Sequence, residues 1–184
     1  ACTAASCFHS SKPPEKDLVK DPARLEERVS ANIRLQLSYA LENNGMLNDS
    51  VLLKNAELLN KVYDAGHFKS IWSDGDYWKF IADSLFLLLP ELREWGLFAS
   101  DYPVRLLADT RNHIAKDSLS RQDAALWARA DLLLTETYFR IARDLRLGRL
   151  EKDSVTLRND SLFTDDYLSS YFDRAIAAGQ VLKS

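Results

Sequence analysis

The chain has 184 residues, of which 46% are hydrophobic and 28% charged, and its formal net charge is -3. That length can bury one sizeable core, and so balanced a charge excludes a dominant role in gripping nucleic-acid phosphates. Only six Gly and five Pro occur, which argues against an all-β fold, and the longest apolar run, residues 85–89, is far short of the roughly 20 residues a bilayer span requires.

The pattern predicts an all-α, single compact domain of about six or seven helices over residues 21–184, preceded by a flexible N-terminal tether over residues 1–20. Both cysteines, Cys2 and Cys7, fall in the tether, which is rich in Ala, Ser and Thr and leads into Pro13 and Pro14. A small residue before Cys at the start of a chain fits a bacterial lipoprotein terminus, with Cys2, or else Cys7, as the acylated residue. The plainer alternative is a tail whose cysteines do nothing. Any membrane attachment would then run only through that lipid.

Asp21 is a good N-cap with Pro22 at the first helical position, and Leu25, Val29, Ile33, Leu37 and Leu41 recur every fourth residue as one stripe. Asn43, Asn44 and Gly45 end that helix. A second is expected from residues 48–50, carrying Leu52, Leu53, Ala56, Leu59 and Val62 up to Gly66, followed by an aromatic connection over 67–75. Residues 77–89 read as a helix buried on most of its circumference, with Phe86 to Leu89 in the centre of the core. Pro90 begins a short helix ending near Gly96, and Ser100 or Asp101 can cap another reaching Lys116, with Val104, Leu107 and Ile114 inward. The longest helix runs from Ser120 to Leu147 with Gly148 as its stop, and Leu126, Ala130, Leu133, Leu134, Thr137, Tyr138, Ile141, Ala142 and Leu145 follow its period. Residues 151–164 lose periodicity and read as a loop. Asp165 and Asp166 then open a last helix with Leu168, Phe172, Ile176 and Ala177 as its stripe.

Chemistry is sparse. A flexible tail cannot hold Cys7 and His9 in reacting geometry, and His67 and His113 have no partner at metal-ligand spacing. Asp74, Gly75 and Asp76 lack the further oxygens a calcium loop needs and read as a turn. Phosphate-cradling glycine motifs and a nucleophile elbow are missing, so no catalytic residue, metal or cofactor is expected. Arg140, Arg143, Arg146 and Arg149 repeat every three residues, either complementing the helix dipole or facing an anionic partner. Trp72, Trp78, Trp95 and Trp127 pack as core, or the first three line a saccharide groove beside Arg143, Arg146 and Arg149.

Three stretches go further than helix periodicity. They are YDAGHFKSIWSD at 63–74, WGLFASDY at 95–102, and ADLLLTETY at 130–138 followed by IARDLRLGR at 141–149. In order and spacing they resemble the helical scaffold domain of large murein L,D-transpeptidases, with Ser70 where a Pro is common and Phe98 and Ala99 where Asp and Pro are frequent. That family's catalytic domain carries a Ser-His-Gly-Cys-x-Arg motif, which does not occur here. The resemblance implies a non-catalytic portion of a protein on the periplasmic side of the bacterial envelope that cross-links peptidoglycan. Its partners would be a downstream catalytic domain of the same polypeptide and peptidoglycan itself. The alternative is a helical module that binds peptidoglycan or an envelope protein.

Overall fold

The computed structural model describes residues 12–48, 51–148 and 163–180. Seven α-helices and two short hairpins make up the described fold, and no described helix is long and apolar enough to cross a membrane.

Asp21 caps as expected: its carboxylate accepts the Ala23 N–H at 3.1 Å, opening a 3-10 turn, Pro22–Arg24, that runs into α1, Leu25–Glu42. Leu25, Val29, Ile33 and Leu37 are buried, but Leu41 is exposed and Ala40 takes its place. Each step of four residues overshoots a turn by about 40°, so a stripe read that way leaves the core after three or four steps. Beyond Asn44, at φ 55, Gly45 adopts φ 86, where an added Cβ would lie 2.3 Å from the Leu53 carbonyl oxygen.

That close approach explains why the second helix starts late. The expected start at 48–50 is instead a hairpin, with β1 (Met46–Asn48) antiparallel to β2 (Val51–Leu52), and α2 covers only Ala56–Ala65. The Leu53 N–H donates to the Gly45 carbonyl at 2.8 Å, so this backbone is committed before a helix can form; Leu52 is exposed while Leu53 is buried. At the far end the left-handed position falls on His67, at φ 55, rather than on Gly66, at φ -87. Phe68 follows at φ 58, and its N–H donates back to the Tyr63 carbonyl at 2.6 Å.

Asp74 and Tyr77 pair across a second hairpin, β3 (Ser73–Asp74) and β4 (Tyr77–Trp78), with Gly75 and Asp76 as its turn. The next helix, α3, is therefore Phe80–Leu88, shorter than the expected 77–89; Phe86, Leu88 and Leu89 are buried as expected, but Leu87 is 70% exposed, as is Phe80 at 79%. A 3-10 segment, Leu89–Trp95, ends on left-handed Gly96. Tyr102 precedes Pro103 and is held extended, so α4 begins at Val104 and runs to Lys116, with Leu107 and Ile114 buried.

The short α5, Ser118–Arg121, separates α4 from α6, Ala124–Leu147, whose cap is Asp123 rather than Ser120. The Asp123 carboxylate accepts the Ala125 N–H at 3.1 Å and also the Asp17 N–H at 2.9 Å. Asp17 in turn holds Arg28 at 2.7 Å and Asn32 at 2.6 Å, and Leu18 bridges Asp123. Residues 17–19 are thus bonded into the fold, and the expected tether over 1–20 is too long by these residues.

Helix α6 is the pillar of the core. Besides the expected stripe it buries Asp131, Leu132, Thr135, Glu136 and Phe139, while Leu145 lies near the surface. Helices α1 to α5 pack around it. The last helix, α7 (Asp165–Ala178), is capped by Thr164, buries Leu168 and Phe172 and leaves Ala177 exposed. Its Phe172 ring closes on Tyr138, Phe139 and Trp72 at centroid distances of 4.9, 5.0 and 6.0 Å. The expected loop falls on residues that, apart from 163 and 164, lie outside the described ones.

Candidate functional site

The densest polar cluster forms around Asp131, which is fully buried in the middle of α6. Its Oδ1 accepts the Tyr63 hydroxyl at 2.6 Å and the Ile71 N–H at 3.0 Å. Its Oδ2 accepts the Trp72 N–H at 3.0 Å and the Ser70 hydroxyl. One turn on, the Thr135 hydroxyl lies 2.7 Å from the Tyr63 hydroxyl and accepts the Trp72 indole N–H at 2.8 Å. The Lys79 ammonium donates to the Ser70 carbonyl at 2.9 Å, closing the loop on itself. Burial pushes the Asp131 carboxyl above the usual carboxylate value, against the four hydrogen bonds that favour its charged form. Burial, then the charge of Asp131, pushes the Tyr63 hydroxyl well above its ordinary value. Four donors for a carboxylate's four lone-pair directions make a saturated clamp, chemically suited to holding a loop rather than to exchanging protons.

A second clamp lies at Glu136, which is 1% exposed. It accepts the backbone N–H groups of Lys54 and Asn55, both at 3.1 Å, and the Asn55 side-chain amide at 3.2 Å. Asn55 also receives Arg143 at 2.9 Å, and Arg143 reaches Asp165 at 3.1 Å. Lys54, Asn55, Arg143 and Asp165 edge an open cleft of about 380 Å³ that also includes Asn44 and Glu57. A third contact joins the Tyr102 hydroxyl to Asp144 at 2.6 Å, with Arg140 donating to the Asp101 carbonyl.

The tryptophan groove does not assemble. Trp72 is 0% exposed, with its ring against Tyr138 and Phe172, so it has no face to offer a glycan. Trp78 is half-buried, wedged against Trp127 and Phe86 at 4.6 and 5.2 Å. Trp95 is exposed at the end of its 3-10 segment. Of the arginines, Arg143 is held at the cleft, Arg146 is exposed with its guanidinium 5.8 Å from the Phe163 ring, and Arg149 lies outside the described residues, as do Cys2, Cys7 and His9. His67 and His113 are both exposed. Among the described residues no group of three or more His, Cys, Asp or Glu side chains could hold a metal. Asp131 and Glu136 were missed because helix reading scores apolar positions. The available signal was a carboxylate at each end of an otherwise uncharged run, Leu132 to Thr135.

A family model described as "Scaffold domain" matches residues 57–184. The chain belongs to the Scaffold domain family. No curated protein and no solved structure matches it. The match covers all three stretches singled out in the sequence, and in this Scaffold domain they meet. Residues 63–74 are clamped onto 130–138 through Asp131, and residues 95–102 onto 141–149 through Tyr102 and Asp144.

Proposed function

We propose that this Scaffold domain is the non-catalytic, module-positioning part of an L,D-transpeptidase-like protein of the bacterial cell envelope. The observation that carries the reading is the joining of the three transpeptidase-like stretches by side-chain hydrogen bonds to α6, which makes them one rigid unit instead of three unrelated resemblances. In such a protein the thiolate and general base of the cysteine acyl transfer belong to a catalytic domain downstream, and this segment fixes where that domain sits. An acyl group on Cys2 would place the assembly at the periplasmic face of a membrane.

The test is to read and express the natural gene beyond the codon for Ser184. A downstream Ser-His-Gly-Cys-x-Arg motif, with muropeptide cross-linking that is abolished by alkylating its cysteine, is expected. A stop directly after Ser184, or a downstream domain without that motif, sinks the reading. The second reading, a peptidoglycan-binding module, rests on the Arg143 cleft. Titration with a soluble muropeptide should then shift amides of Asn44, Lys54 and Asn55, whereas a purely positioning domain leaves them in place.

A further inference from the structure

The outer face of α3 is apolar where a helix surface is normally polar. Phe80 and Leu87, 79% and 70% exposed, stand one heptad apart, which puts them on the same face and about 10 Å apart along the axis. Between them, one to either side of the line that joins them, lie Asp83 and Ser84, and the Ser84 hydroxyl donates to its own helix at the Phe80 carbonyl, 3.0 Å away. The polar groups between the two apolar residues are therefore both satisfied within the chain. Two large apolar knobs one heptad apart, with satisfied polar groups between them, offer a crossing helix apolar contact.

The charges around this face determine what can occupy it. Between the knobs Asp83 is neutralised by Arg111. Before it lie Asp74 and Asp76 and after it Glu91 and Glu94, all exposed and in no ion pair among the described residues. The one exposed cation of the 3-10 segment is Arg93, and Lys79 is turned inward onto Ser70. A second copy of the chain docked in antiparallel fashion, Phe80 on Leu87, would bring Asp76 opposite Glu91, and an anionic bilayer would meet the same repulsion.

We propose that the Phe80–Leu87 face of α3 is a docking surface for a helical segment of a partner protein that presents apolar side chains flanked by Lys or Arg. This inference does not depend on the chemistry of any downstream domain. The apolar knobs supply contact area and the acidic ends select a basic partner.

The test uses the ¹⁵N-labelled chain and two synthetic 18-residue amphipathic peptides with the same Leu stripe, one flanked by Lys and one by Glu. The Lys peptide is expected to shift amides of residues 74–95 only, with binding weakened about tenfold by Leu87→Ser and by the double change Asp76→Lys and Glu91→Lys. Both Leu87 and the two acids are exposed, so melting temperature should hold; should Leu87→Ser fail to fold, Phe80→Ser serves the same purpose. Equal binding of the two peptides overturns the proposal, as do shifts elsewhere. A concentration-dependent dimer in sedimentation that Leu87→Ser abolishes overturns it in favour of self-association.

Discussion

Asp131 and Glu136 are both buried carboxylates on α6, five residues and hence about 140° apart around the helix, and each fastens a different loop to it. What distinguishes them is the position of their donors. Three of the four donors to Asp131, on Tyr63, Ser70 and Trp72, belong to buried residues and find no water when released, while Ile71 is half-buried. Lys54 and Asn55 line the open cleft, so a donor released from Glu136 can be rehydrated. Burial of the acceptor alone therefore says little about what its loss costs; the burial of its donors decides.

Replacing Asp131 with Ala should break the comparison open most widely, destabilising the fold by about 4 kcal/mol in urea unfolding because four donors are orphaned at once. Glu136→Ala should cost roughly 2 kcal/mol, and a loss equal to that at Asp131 would show that donor exposure is irrelevant. Tyr63→Phe removes one donor and should cost about 1 kcal/mol at neutral pH. It should also flatten the alkaline limb of the stability curve. The folded protein keeps the Tyr63 proton at pH values where the unfolded chain has released it. That share of stability is whole below pH of about 10 and drains as pH rises past it. Tyr138, likewise raised by burial, leaves some slope in the variant. The smallest effect is expected at His67, where Gly would relieve a left-handed backbone and stabilise by roughly 0.5–1 kcal/mol, read as a rise in melting temperature. Combining it with Asp131→Ala measures how much of that strain the clamp holds in place.

The helices were legible because their apolar residues recur over ten or more positions, as in α6 and α1. The hairpins were not, since strands of two or three residues are too short to alternate: β2 and β4 read as parts of helices, although Asp74, Gly75 and Asp76 read correctly as a turn. Leu41 and Leu87 read as inward because periodicity and composition report how apolar a helix is and not which side the protein covers. Trp72 and Trp78 illustrate the same gap at the candidate site. Their types suit a glycan groove, but the loop that carries Trp72 is pulled inward by Asp131, a residue some 60 positions later whose partners no local pattern names.

That separation recurs throughout the molecule. Asp17 waits for Asp123, Lys54 for Glu136 and Tyr63 for Asp131, intervals of 106, 82 and 68 residues. During synthesis the first 120 or so residues leave the ribosome with their fastenings still unmade, since nearly all of them reside in one late helix. Nascent chains stalled before α6 has emerged should be cut readily by protease, and those stalled after it should resist. The domain is built in one order and closed in another, its fastenings waiting on α6.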